Sequence, residues 1–139
     1  MSINTAIDQH VIYSILVVED DEQHRRYLTE LLTSEGYAVT QAKDGVEAAN
    51  ILKNNHYDLL ITDIVMPEKE GIELIFEVHE SQPDLPIIGM SGGGKYAHST
   101  CYLEAAKCAG ASYVFDKPIY PDDLMLSISS ILHVDNECD

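Results

Sequence analysis

The chain has 139 residues, which suits one domain with an ordinary core, and a hydrophobic content of 45% with eight glycines and five prolines argues against disorder. Its 24 acidic and 8 basic side chains give a formal charge of −16; repulsion from a phosphate backbone argues against a nucleic-acid-binding surface and favours basic proteins or cations as partners. No apolar run reaches the roughly 18 residues of a membrane span, and residues 1–10 lack a basic segment followed by an apolar one, so neither membrane insertion nor export is expected.

Residues 1–13 are polar and unpatterned and read as an N-terminal arm. Ser14-Ile15-Leu16-Val17-Val18 is a continuous apolar run that ends in Glu19-Asp20-Asp21-Glu22. Unbroken hydrophobicity marks a strand covered on both faces, as in a parallel sheet flanked by helices. Gln23 to Ser34 carries Tyr27, Leu28, Leu31 and Leu32 at helical spacing, and Gly36 follows as a helix stop. Asp21 and Glu22 suit a helix start, where the macrodipole favours negative charge.

Tyr37 to Ala42 is a second strand, less apolar and expected nearer a sheet edge. Asp44, with Glu47 three residues on, forms a capping-box pattern for a helix that buries Ala48, Ala49 and Leu52. Asp58-Leu59-Leu60-Ile61-Thr62-Asp63-Ile64-Val65-Met66-Pro67 drives an apolar strand into a carboxylate before a proline ends the run, which fixes Asp63 on a rigid element.

Gly71 opens a third helix with Ile72, Ile75, Phe76 and His79 on one side. Pro86 to Met90 is a fourth strand running into Ser91-Gly92-Gly93-Gly94. Tyr102, Leu103, Ala106 and Ala109 pattern a fourth helix, and Ser112 to Phe115 is a fifth strand. Leu124, Ile128, Ile131 and Leu132 mark a last helix with Pro121 in its first turn. Residues 134–139 form an acidic tail. Five βα units predict a doubly wound α/β sandwich with right-handed crossovers.

Cys101, Cys108 and Cys138 are odd in number and lack metal-type spacing, which fits a reducing cytosol; Cys101 and Cys108, on one predicted helix, are expected to pack. The six histidines, His10, His24, His56, His79, His98 and His133, are scattered without ligand spacing and are expected at the surface.

Ligands of such sheets gather beyond the carboxyl ends of the strands. Glu19 and Asp20 stand there after the first strand, Asp63 after the third, Ser91 after the fourth and Lys117 after the fifth. Crowded carboxylates repel unless a cation neutralises them, and an oxygen-only set with room for water favours Mg²⁺. Lys117 and Ser91 add an ammonium and a hydroxyl for a phosphoryl guest. Asp63 is the best candidate nucleophile, since a carboxylate can attack phosphorus to give an acyl phosphate.

The segments Ile15 to Asp21, Ile61 to Pro67 with Gly71, Ile87 to Ser91, and Gly110-Ala111 leading to Lys117-Pro118 resemble the receiver domain of bacterial two-component response regulators, the CheY-like family, over residues 14–133. The resemblance implies a five-stranded parallel sheet of order 2-1-3-4-5 with five helices. It implies Asp63 as phosphoacceptor; Glu19, Asp20, Asp63 and the Val65 carbonyl around Mg²⁺, with Glu19 acting through water; Ser91 and Lys117 on the phosphoryl group; and a cis Lys117–Pro118 bond. A sensor histidine kinase or phosphotransfer protein would be the donor, with Asp63 and Lys117 assisting the chain's own phosphorylation and dephosphorylation. It would be a cytoplasmic signalling domain rather than an enzyme, a stand-alone receiver acting by altered binding to another protein. A homodimer through the fourth helix, fifth strand and fifth helix is compatible with it.

The sequence departs from the family twice. The usual switch aromatic is Val114 here, flanked by Tyr113 and Phe115, and three glycines follow Ser91, so the Gly92 to Gly94 loop is expected to be mobile. Two rivals stand beside this reading. A haloacid-dehalogenase-type phosphatase needs a second Asp where Val65 stands, and a receiver-like interaction module that is not phosphorylated would have no need of the five polar strand tips.

Overall fold

The computed structural model describes residues 11–64, 71–91 and 99–133, with the side chains of 99–103 left aside. The elements in chain order are β1 (Ser14–Val18), α1 (Glu22–Ser34), β2 (Ala38–Ala42), α2 (Gly45–Asn54), β3 (Leu59–Asp63), α3 (Gly71–Ser81), β4 (Ile87–Ser91), α4 (Ser99–Ala109), β5 (Tyr113–Asp116) and α5 (Pro121–Leu132). Among the described residues the strands form one parallel sheet of order β2-β1-β3-β4-β5, the order that the resemblance implied.

Strand pleating divides the core into two layers. Ile15, Val17, Leu59, Ile61, Ile88 and Met90 point to one face, where Leu28 and Leu32 of α1 and Leu124 and Ile128 of α5 cover them. Leu16, Val18, Leu60 and Ile87 point to the other, under Ala48 and Leu52 of α2, Leu74, Ile75 and Val78 of α3, and Ala106 of α4. Both faces are covered, so these strands carry no polar alternation. The edge strands are the exceptions: β2 exposes Ala38 and Gln41, and β5 exposes Tyr113 and Asp116.

Local chemistry sets the helix ends. The Asp21 side chain accepts from the Gln23 N–H at 3.1 Å to cap α1, and Asp44 accepts from the Glu47 N–H at 2.8 Å to cap α2. Glu47 reaches back to the Lys43 N–H at 2.7 Å, one residue before the one a standard capping box would use. Gly36 (φ 98°) follows α1, and Gly110 (φ 132°) follows α4. Pro121 lies in the first turn of α5, where its missing N–H costs nothing.

Two expectations about packing are corrected. On α3 the buried residues are Gly71, Leu74, Ile75 and Val78, whereas Phe76 is 55% exposed. The sheet selects the 71/74/75/78 stripe, and Phe76 lies one residue, about 100° of helix, beyond it. Cys108 is an exposed free thiol rather than a packed one; the side chain of Cys101 lies outside the described residues. Among the described residues no helix is long and apolar enough to cross a membrane.

Candidate functional site

The sheet places its acidic tips together. β1 and β3 are neighbours, with Val18 level with Thr62, so Glu19 and Asp20 emerge beside Asp63. β4 lies on the other side of β3, Asp63 pairing with Met90, which puts Ser91 one residue beyond that level. The Lys117 N–H donates to the Ser91 carbonyl at 2.9 Å and ties the end of β5 to the end of β4. The Lys117–Pro118 peptide bond is cis, as expected.

One oxygen from each of Glu19, Asp20 and Asp63 falls within 4.8 Å of the others. Glu19 is fully buried, Asp63 is 4% exposed and Asp20 is exposed. Lys117 Nζ donates to Glu19 Oε1 at 2.7 Å and to Asp63 Oδ2 at 3.2 Å. The Asp21 N–H donates to Glu19 Oε2 at 3.0 Å, and His24 Nδ1 lies 2.7 Å from Glu19 Oε1. Arg25 Nη1 donates to the Glu19 carbonyl at 2.7 Å. Both side-chain oxygens of Glu19 are therefore satisfied, whereas the buried Asp63 Oδ1 has no hydrogen-bond partner among the described residues.

These contacts separate the three acids. Burial alone would raise Glu19, but hydrogen bonds from His24 and Lys117, the Lys117 charge and the Asp21 N–H outweigh it and hold its pKa at about 2. Asp63 is pushed up to about 6 by burial and by the Glu19 charge, which Lys117 only partly offsets. Asp20 is raised by burial, by a hydrogen bond to Glu19 and by its charge. Lys117 would be lowered by burial, yet its bond to Glu19 and the Asp63 charge raise it. Three carboxylates and one ammonium leave a net charge of −2 when all are ionised.

That deficit and the orphaned Asp63 oxygen suit a divalent cation. The oxygen-only donor set, gathered within 4.8 Å, fits a hard ion such as Mg²⁺ that Asp20 and Asp63 would hold directly and Glu19 through water. Gly71 closes the underside: its N–H donates to the Ile64 carbonyl at 2.7 Å, and an added Cβ would overlap the Asp63 carbonyl oxygen. A side chain there would displace the strand end that carries the acid.

Of the residues expected at the site, Glu19, Asp20, Asp63 and Lys117 converge, and Ser91 stands buried at the adjacent strand tip. Val65 and the Gly92 to Gly94 loop lie outside the described residues. His24 corrects the expectation that the histidines lie uninvolved at the surface: it touches the most buried acid of the site. Its position in the first turn of a helix that starts at a strand tip was the available signal, because that turn folds back over the tip. At Val114 the small side chain packs above Gly89, where an added Cβ would lie 3.5 Å from Val114 Cγ1. Tyr113 is 38% exposed, and Phe115 packs against the layer under α1 and α5.

The fold is thus a doubly wound α/β sheet whose carboxyl edge gathers three acids and a lysine, as in a receiver-type domain. The chain belongs to the response regulator receiver domain family of two-component signalling, whose model matches residues 15–129. Over 118 residues it is 36% identical to the response regulator receiver protein CpdR of Brucella abortus, covering 85% of this chain and 95% of CpdR. It is 32% identical to the response regulator MprA of Mycobacterium sp. (strain KMS), of which it spans only 50%. The chain thus spans about half the length of some of the curated relatives it matches. Among solved structures, response regulator protein TrrA of Thermotoga maritima, in complex with Mg²⁺-BeF, superposes with a TM-score of 0.76 and 32% identity, covering 87% of this chain and 100% of that one.

Proposed function

We propose that the chain accepts a phosphoryl group on Asp63 from the phosphohistidine of a sensor kinase or phosphotransfer protein, with Mg²⁺ required, and that the phosphorylated state changes its binding to another protein. The observation that carries this reading is the asymmetry of Asp63: Oδ2 is held by Lys117, while Oδ1 is buried without a partner among the described residues, beside two further acids. In the transfer an Asp63 carboxylate oxygen forms a bond to phosphorus as the phosphorus–nitrogen bond breaks. The electron pair of that bond stays on the imidazole nitrogen, and the ring leaves as neutral imidazole because it already carries a proton on its other nitrogen or takes one from water.

The side chains of Glu19, Asp20 and Asp63 would hold Mg²⁺, with the Val65 carbonyl as a further ligand from outside the described residues. The ion would supply charge neutralisation for the anionic guest. Lys117 would follow the new charge from Glu19 toward the phosphoryl oxygens, and Ser91 would offer its hydroxyl to the same group. The likeness to TrrA with Mg²⁺-BeF supports the choice of ion. CpdR, of which the chain covers 95%, is named a receiver protein, and action as a receiver alone is part of the proposal. A homodimer through α4, β5 and α5 and a cytoplasmic location go with this reading.

Intact-mass analysis after incubation with acetyl phosphate tests it. Wild-type protein should gain one acid-labile phosphoryl group only with Mg²⁺, and Asp63→Asn should gain none. Labelling that persists in the variant, or that ignores the ion, refutes the assignment. A chain that is never labelled while the fold is intact would instead be a receiver-shaped interaction module.

A further inference from the structure

We propose that His24 is a positioning residue for phosphoryl uptake: its imidazole holds Glu19 Oε1 so that Lys117 can leave Glu19 for the arriving phosphoryl group. The inference rests on the phosphoacceptor reading of Asp63 and adds a residue to it. Glu19 Oε1 accepts two donors at the same distance, Lys117 Nζ and His24 Nδ1, each at 2.7 Å. Lys117 also has a second partner, Asp63 Oδ2, at the longer distance of 3.2 Å. The ammonium is thus shared between the acid that would react and the acid that would not.

A phosphoryl group on Asp63 adds negative charge and draws Lys117 toward it. If Lys117 were the sole partner of Oε1, its departure would leave a fully buried carboxylate oxygen unsatisfied, and that penalty would oppose the movement. His24 removes the penalty by staying. A carboxylate can only accept, so Nδ1 must carry the proton in this contact. The ring is held from outside by Tyr27, stacked on it at 6.1 Å between centroids and 15° between planes. The other carboxylate oxygen stays fixed by the Asp21 N–H at the start of α1. Strand tip and first helical turn together keep Glu19 oriented while the lysine changes partners.

A purely packing role for His24 predicts that a side chain of similar bulk serves as well. The test therefore compares wild type, His24→Leu, which fills the space without a donor, and His24→Asn, which restores an N–H near the position of Nδ1. The acetyl phosphate labelling rate at saturating Mg²⁺ should fall about fivefold or more in His24→Leu, the effect of one lost hydrogen bond, and return to within about twofold in His24→Asn. Wild-type rates in His24→Leu, or equal loss in both variants, overturn the proposal.

Imidazole nitrogen chemical shifts of the unphosphorylated protein give a readout independent of labelling. A proton resident on Nδ1 supports the contact; one resident only on Nε2 overturns it. Should wild-type protein fail to take up phosphate, the phosphoacceptor reading falls, and the imidazole shifts alone then decide whether His24 holds Glu19.

Discussion

Replacing Asp63 by Asn should stabilise the protein in the absence of divalent ions, because it removes the charge that the fold tolerates least. The folded pKa of about 6 lies above the ordinary 3.8. At about 1.4 kcal/mol per pH unit, ionised Asp63 costs the fold about 3 kcal/mol at pH 7. Asn still offers an oxygen to Lys117 but balances its charge less well, so the expected gain is about 1–3 kcal/mol. For comparison, one fully buried Leu or Ile contributes roughly 1.5–3 kcal/mol, so a few of the core side chains offset the acid in the native protein.

The pH dependence carries a sign. Because the folded pKa is raised, the native chain takes up the Asp63 proton before the unfolded chain does as pH falls. Wild type therefore gains on the variant between about pH 6 and pH 4, and the gap should shrink by about 1 kcal/mol between pH 7 and pH 5. Glu19 behaves oppositely: its depressed pKa gives stability that is present above 4.5 and lost toward about 2, but to first order both proteins share that loss. Urea unfolding followed by far-UV circular dichroism, in chelator and then in excess MgCl₂, measures the difference. The ion should stabilise wild type and leave the variant nearly unchanged. A variant less stable than wild type in chelator at pH 7, or a gap that widens on acidification, would refute the reasoning.

Gly71→Ala should destabilise the chain by more than about 2 kcal/mol, since its Cβ would overlap the backbone of Asp63 and Ile64 rather than a flexible side chain; urea midpoints measure this. Lys117→Met should lower the Mg²⁺ concentration needed for half-saturation, because the ammonium no longer competes for Glu19 and Asp63, and should also slow acetyl phosphate labelling. Calorimetric titration and intact-mass kinetics check the two effects, and weaker Mg²⁺ binding would count against competition between lysine and ion.

The local signals in the chain specify five strands, five helices and their order. Short apolar runs such as Ile15 to Val18 and Leu59 to Ile61, bounded by polar residues, read as strands buried on both faces. Asp21, Asp44 and Pro121 mark helix starts by the chemistry of unpaired N–H groups. The acidic tips were legible because a carboxylate that ends an apolar run stands out in one dimension, whereas the strand order β2-β1-β3-β4-β5 came only from the resemblance and was borne out by the sheet. Periodicity was less informative where it had to choose a side. On α3 both the 72/75/76/79 and the 71/74/75/78 stripes are apolar enough, and only contact with the sheet selects the second, leaving Phe76 outside.

What tertiary structure alone decided is how the acids differ. Glu19, Asp20 and Asp63 are chemically alike in the sequence, yet Glu19 receives Lys117 from 98 residues away together with His24 and the Asp21 N–H, whereas Asp63 keeps a bare oxygen among the described residues. The residue types and the βα alternation follow from the sequence by itself, because they depend on neighbours along the chain. Which carboxylate is held charged and which keeps an unpartnered oxygen depends on the donors that the fold brings within about 3 Å, and no local pattern encodes those distances.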